Sequence, residues 1–134
     1  MGNAQPMSDA CYCDYDSPSV FHEETRRAKV IHSCCECGRA IQPGERYEHV
    51  WGIWDGMSST HKTCQHCVGF REYVRTHVPC FCWLYGNMLE DAVQTLHYYA
   101  HEVPGLWFGG ARWLVRGQQL RQANLARSAG ARDG

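Results

Sequence analysis

Two pairs of cysteines constrain this chain more than any other feature. Cys34 and Cys37 form one C-x2-C pair, and Cys64 and Cys67 form a second pair after 26 intervening residues. A C-x2-C turn places two thiolates within reach of one ion, and two such turns complete a tetrahedral set at Zn–S distances of roughly 2.3 Å. Gly38 follows the first pair and lets backbone amides point at the sulfur. The spacing therefore predicts one zinc ion bound by these four cysteines.

Neighbouring residues leave alternatives open at this site. Cys35 is adjacent to Cys34 and can replace it in a shorter C-x-C turn, although the standard spacing and Gly38 favour Cys34. His61 lies three residues before Cys64, but with four cysteines available we predict an ordinary hairpin residue there. His66 is predicted to be exposed.

The remaining cysteines form two C-x-C pairs, Cys11 with Cys13 and Cys80 with Cys82. Closely spaced cysteines favour metal ligands in a reducing cytosol and disulfides in a secreted protein. These four are candidate ligands of a second Zn²⁺, which would pin the N-terminal segment to the link between two helices. In the alternative interpretation, Cys80 and Cys82 are half-buried core thiols and the other pair is free.

Hydrophobic periodicity predicts the main elements. Alternation in Arg46–Trp54 indicates a strand, and Asp55-Gly56 is typical of a hairpin turn that leads into a returning strand. The other predicted elements are a strand over Thr25–His32, a helix from Cys64 that ends before Pro79, a helix over Met88–Val103 begun by Asn87 with Glu90, and a third helix over Ala111–Ala126 after a Gly-rich link.

The order of cysteine knuckle, hairpin and helix resembles the treble-clef zinc finger over residues 33 to 77. A zinc ribbon has similar spacing but ends in a strand. The resemblance implies an α+β fold, a small treble-clef-like finger followed by two helices. We expect a lead-in at 1–10, a zinc-binding domain at 11–104, a C-terminal helical segment at 105–126 and a flexible tail at 127–134. His61 with Cys64 and Cys67 also resembles a LIM finger, which would make that histidine a ligand.

Catalysis is not predicted from these motifs. A zinc ion held by four cysteines has no open position for substrate, and no phosphate-binding loop, nucleophile elbow or carboxylate pair occurs elsewhere. A nuclease of the His-metal finger type is the least favoured alternative, because only the positions of His49, His61 and His77 suggest it. The absence of a long apolar run and of a signal peptide predicts a cytoplasmic protein without a membrane span.

The C-terminal segment is the best candidate for binding. Leu106–Leu125 is rich in Leu, Trp, Phe and Arg, and the last three are enriched at protein interfaces. The formal net charge of -1 disfavours a general phosphate binder. Nucleic-acid binding through Arg112, Arg116 and Arg121, with Trp107, Phe108 and Trp113 as stacking rings, is the alternative.

The stretch from Cys11 to Asp91 also resembles a group of small cysteine-rich proteins of bacteriophages and prophages. The resemblance lies in Cys11-x-Cys-Asp14, Arg27-Ala-Lys29, His32-Ser-Cys-Cys-Glu-Cys-Gly-Arg39, Gly44-Glu-Arg-Tyr47, Trp54-Asp-Gly56, Lys62-Thr-Cys64, Cys80-x-Cys82 and Leu89-Glu-Asp91. The group has no general biochemical assignment. The resemblance implies a binding protein that acts on a host protein in the host cytoplasm, as a host-takeover or anti-defence inhibitor.

Overall fold

The computed structural model describes residues 17–133, with side chains described for 17–126, and its fold is α+β. Within residues 17–133, five strands and three helices follow one another. They are β1 (Val20–Arg27), β2 (His32–Ser33), β3 (Ala40–Ile41), β4 (Arg46–Trp54), β5 (Met57–Cys64), α1 (Gln65–His77), α2 (Met88–Tyr99) and α3 (Leu106–Asp133).

The larger sheet is antiparallel with the strand order β1-β4-β5. Asp55 and Gly56 both have positive φ, 51° and 79°, as a two-residue hairpin turn requires. The turn pairs Trp54 with Met57 and so fixes the register that places Tyr47 opposite Cys64. The predicted hairpin is confirmed. The smaller sheet pairs β2 with β3 on either side of the first cysteine pair.

The strand predicted over Thr25–His32 is wrong in its position. β1 spans Val20–Arg27 and pairs along its whole length with β4. Seven of its eight residues are exposed, so it carries no alternation of apolar and polar residues from which its bounds can be found. Pairing with β4, rather than the local pattern, sets its position.

The helices bury their apolar faces against one core. Phe70 and Val74 of α1 are fully buried, and α1 ends where Val78 becomes extended before Pro79. Met88, Ala92 and Leu96 of α2 have no exposed surface and recur every four residues along the same face. α2 ends at Tyr99, four residues before the predicted end.

α3 begins at Leu106, five residues earlier than the predicted third helix, and continues to Asp133. Residues 106–110 belong to the helix and do not form the predicted link. Their glycines allow this part of α3 to pack closely against its neighbours. A Cβ atom at Gly110 would lie 2.4 Å from Cδ1 of Leu96, so α3 and α2 approach closely there. Among the described residues, no helix is long and apolar enough to cross a membrane.

Candidate metal centre

Four cysteine sulfur atoms from three parts of the fold lie close together. Cys34 and Cys37 lie on the turn between β2 and β3, Cys64 ends β5, and Cys67 lies in the first turn of α1. Their Sγ atoms all lie within 4.8 Å of one another. The Cys34–Cys67 and Cys37–Cys64 sulfur distances are both 3.8 Å. The structure therefore brings together the four cysteines predicted as one site.

The geometry and chemistry of this cluster fit zinc. Four sulfurs about 2.3 Å from a central ion form a tetrahedron with an edge of about 3.8 Å, which agrees with the two 3.8 Å sulfur distances. A donor set made only of thiolates suits Zn²⁺ and excludes hard ions such as Mg²⁺ and Ca²⁺. We call these four residues the four-cysteine cluster. The cluster can hold one zinc ion.

The electrostatics of the four-cysteine cluster also favour a cation. A hydrogen bond with Cys37 lowers the pKa of the Cys34 thiol to about 6, and hydrogen bonds with Cys34 and Cys37 lower the pKa of Cys64. The contacts with Cys34 raise the pKa values of Cys37 and Cys67 above the usual range. Thiolates this close repel one another, so a divalent cation is needed for all four to ionise.

A tight backbone turn explains the local sequence around the first pair. Gly38 has φ of 75°, in the left-handed region that favours glycine, and its N–H donates to the Cys34 carbonyl at 3.0 Å. The N–H groups of Glu36 and Cys64 both donate to the Cys34 sulfur at 3.4 Å. Backbone donors that point at sulfur favour its thiolate form.

Cys35 lies outside the four-cysteine cluster, which resolves the alternative left open by the sequence. Its Sγ lies 3.4 Å from Oγ1 of Thr63, and burial raises its pKa to about 12. Cys35 therefore stays a neutral thiol beside the site. Cys34 is the member of this adjacent pair that joins the cluster.

Neither candidate histidine joins the cluster. The ring of His61 stacks on Tyr85 with a centroid distance of 4.5 Å, which agrees with an ordinary hairpin residue. His66 is half-buried beneath α3, where Nε2 lies 2.8 Å from the Trp113 carbonyl oxygen. The prediction that His66 is exposed is wrong, because α3 packs over the start of α1.

The second predicted site is described only in part. Cys80 and Cys82 lie on the link between α1 and α2 with their sulfur atoms 3.7 Å apart, and both are disulfide-bonded in the structure. Cys11 and Cys13 lie outside the described residues. The second zinc site therefore stays a prediction.

Glu36 is a site residue that sequence reasoning missed. Its carboxylate accepts hydrogen bonds from the backbone N–H groups of Gly86 at 2.8 Å and Met88 at 3.0 Å. It thus caps α2 from within the cysteine turn, a place where negative charge is favourable. Asn87 makes no side-chain cap and donates to Asp91 instead. From the sequence, Glu36 could be recognised only as an acidic residue between Cys34 and Cys37.

In the part of the chain that the structure describes, the histidines on which a nuclease would depend do not share a site with other metal-binding groups. His49 lies on β4, His61 stacks on Tyr85, and Nδ1 of His77 lies 2.7 Å from the carbonyl oxygen of Tyr73 in its own helix. Within residues 17–126, the four-cysteine cluster is the only group of three or more His, Cys, Asp or Glu side chains placed to share an ion.

Of the three aromatic residues of α3, Trp113 packs against the core, whereas Trp107 and Phe108 are exposed. Trp113 lies beside Phe70, with a ring-centroid distance of 6.4 Å, and Trp107 lies 4.4 Å from the ring of His97. Arg112 and Arg116 line a surface cavity of about 440 Å³ next to Tyr73 and Trp113. Neither arginine forms an ion pair with a residue whose side chain is described.

Comparisons with known protein families, with curated proteins and with solved structures found no match to this chain.

Proposed function

We propose that this chain is a non-enzymatic zinc protein that binds another protein through α3. The proposal rests on a row of exposed residues along that helix. We call this row the α3 outer face; it consists of Phe108, Arg112, Val115, Gln119 and Gln122. In this proposal, a treble-clef-like finger holds the zinc, and the packed helices present the outer face to the partner.

A structural role for the metal follows from the donor set. Four cysteine ligands fill a tetrahedral ion and leave no position for water or substrate. The cluster joins β5, α1 and the turn between β2 and β3, while Glu36 connects that turn to α2. Bound zinc would thereby stabilise the helices that support α3.

The spacing of the α3 outer face suits docking into a groove. Its residues recur at intervals of four and three positions, so they lie along one side of the helix. Phe108 is 77% exposed and Val115 is 53% exposed, one two-turn interval apart. Apolar anchors at this interval are typical of helices that bind in hydrophobic grooves.

The positive charge of α3 favours a partner with an acidic surface. α3 contains five arginines and one acidic residue, Asp133. Like charges at positions i and i+4 destabilise a helix slightly, and Arg112 and Arg116 form no ion pair with any side chain described in residues 17–126, which favours an external function. An apolar groove with an acidic rim is the complementary surface. The resemblance to phage proteins suggests a host protein, with inhibition of host or defence machinery as the role.

Nucleic-acid binding is the second candidate, because the same two arginines line the cavity beside Tyr73. Single-strand binding normally adds aromatic rings on which bases stack. Trp113 is half-buried beside Phe70, and Trp107 is 36% exposed and lies against the ring of His97. Among the aromatic residues of α3, only Phe108 has a largely exposed ring. One such ring is less than a stacking surface needs, so the protein partner is favoured.

Point variants on α3 test the proposal better than deletion of the helix, because Leu106 is 1% exposed and belongs to the core. The full chain is immobilised and exposed to bacterial lysate with and without nuclease treatment. We expect nuclease-resistant capture of a protein that is lost with Phe108→Ala and with Arg112→Glu. Tyr98→Ala is the matched control, because Tyr98 of α2 is an aromatic residue with 76% exposure.

Three results would contradict the protein-binding proposal. Capture that nuclease abolishes favours nucleic acid. Capture that both α3 variants retain places the contact elsewhere. Equal loss in Tyr98→Ala indicates a nonspecific aromatic effect. Zinc content and the unfolding transition are measured for each variant, so that a misfolded chain is not counted as a binding defect.

A further inference from the structure

β1 is an edge strand of the larger sheet, with β4 on one side and no described strand on the other. It is eight residues long and almost entirely exposed. An uncovered edge of this length offers a row of backbone N–H and C=O groups to another strand. Such an edge either carries features that prevent pairing or serves as an interface.

The register determines which backbone groups face outwards. The two-residue turn makes Trp54 and Met57 a hydrogen-bonded pair, so even-numbered residues of β4 bond to β5 and odd-numbered ones to β1. The bond from the Ala28 N–H to the Glu45 carbonyl, 2.8 Å long, agrees with this pattern. The backbone groups of Phe21, Glu23, Thr25 and Arg27 therefore point to the open edge.

The side chains of this edge are complementary to themselves. The segment Glu23-Glu-Thr-Arg-Arg27 has two acidic residues before Thr25 and two basic residues after it. An antiparallel pair of two copies centred on Thr25 places Glu23 opposite Arg27 and Glu24 opposite Arg26. Symmetry repeats both contacts, so every charge in the segment faces an opposite one.

Other registers fail on charge or on hydrogen bonding. A centre at any of the four charged residues places that residue opposite its own copy, and like charges directly opposite are destabilising. A centre between two residues pairs outward backbone groups with inward ones, which leaves the ladder without hydrogen bonds. Only the register centred on Thr25 satisfies both conditions over this segment.

We infer that two copies of this chain associate through β1, antiparallel and centred on Thr25, to form a continuous six-stranded sheet. The contact is isologous, since the same strand serves both copies. Addition of a strand to a sheet edge is a recurrent mode of recognition in which main-chain hydrogen bonds provide affinity. The β1 contact is separate from the α3 outer face and does not depend on the proposed partner.

The expected dimer is reversible. One pair of edge strands makes a smaller interface than the roughly 1,200–2,000 Å² of stable complexes. Its charge pairs are exposed, so salt screens them. Sedimentation equilibrium of the zinc-loaded full chain should show a monomer of 15.3 kDa in equilibrium with twice that mass, with weaker association at high salt.

Complementary charge variants provide the decisive test. Glu24 and Arg26 lie on the exposed outer side of β1, so their replacement leaves the core intact. Glu24→Arg alone, or Arg26→Glu alone, places like charges opposite each other twice and should raise the dimer dissociation constant about tenfold or more. An equimolar mixture of the two variants should dimerise again, because each copy then meets opposite charges.

A backbone variant tests the ladder itself. Thr25→Pro removes an N–H group that points to the open edge, where proline is tolerated in a strand, and should abolish the dimer without loss of bound zinc. A wild-type chain that stays monomeric at millimolar concentration would overturn the inference. So would unchanged dimerisation of the charge variants or of Thr25→Pro, or a mixture that fails to recover association.

Discussion

The adjacent residues Cys34 and Cys35 have opposite environments although they are one position apart. Cys34 accepts backbone hydrogen bonds and contacts Cys67 across the cluster, whereas Cys35 lies beside Thr63 with a raised pKa. Spacing and Gly38 favoured Cys34 in the sequence, but only the folded turn separates the two sulfurs. The direction of each side chain is thus decided by the turn and not by composition.

This difference gives a paired prediction. Cys37→Ser or Cys67→Ser removes a zinc ligand, so the protein should lose bound zinc and its cooperative unfolding transition, because metal binding and folding are coupled in small zinc domains. Cys35→Ser is the matched control and should retain both. Zinc is measured by atomic absorption and unfolding by circular dichroism. Wild-type zinc content in Cys67→Ser, or zinc loss in Cys35→Ser, would show that the assignment is wrong.

Glu36 provides the second prediction at this scale. Glu36→Ala removes the carboxylate that accepts from Gly86 and Met88, and should reduce the free energy of unfolding by about 1–2 kcal/mol while zinc stays bound. Glu90→Ala is the control, because Glu90 is acidic and exposed in the first turn of α2 but makes no such contact. Urea denaturation compares the two. Equal effects would indicate a general charge effect and not a cap.

At the level of elements, sequence reasoning succeeded where a local pattern decides the structure. Alternation and Asp55-Gly56 predicted the hairpin, and the recurrence of Met88, Ala92 and Leu96 predicted α2. It failed for β1, whose bounds depend on pairing with a strand about twenty residues away. It also failed for the start of α3. Gly109 and Gly110 favour a loop by their low helix propensity, but in the structure they are helical and allow close packing against Tyr73 and Leu96.

The packing of α3 yields a prediction that opposes helix propensity. Alanine in place of glycine stabilises an isolated helix by about 1 kcal/mol. At Gly110 the new methyl group would lie 2.4 Å from the side chain of Leu96, which is fully buried and has little room to move. We expect Gly110→Ala to lower the melting temperature. Gln119→Ala, on the exposed side of the same helix, should leave it unchanged or raise it slightly.

At the scale of the whole molecule, the four-cysteine cluster connects the turn between β2 and β3 to the end of β5 and the start of α1. Glu36 joins the cysteine turn to α2, and the buried ion pair of Arg71 with Glu48 joins α1 to β4. The four cysteines of the cluster were predicted from their spacing, because two C-x2-C pairs in one short chain are typical of a zinc site. Glu36 and Arg71 were not, since nothing in the local sequence shows which distant group an acidic or basic side chain will meet.

The number of metal ions per chain tests the remaining prediction, a second zinc bound by Cys11, Cys13, Cys80 and Cys82. Cys80 and Cys82 are disulfide-bonded in the structure, so zinc can bind there only after these bonds are reduced to thiolates. Protein purified under reducing conditions should contain two zinc ions, and the double variant Cys80→Ser/Cys82→Ser should contain one. Cys35→Ser, again the control, should keep two.

The competing outcomes are distinguishable. One ion in the wild type, with four thiols that react only after reduction, would mean that these cysteines form disulfides. One ion with four thiols that alkylate freely would mean that they are neither ligands nor bridged. Two ions that both disappear in the double variant would mean that the first site depends on the second. The outcome we expect, loss of one ion with the unfolding transition preserved, requires two independent sites because the four-cysteine cluster keeps all its ligands.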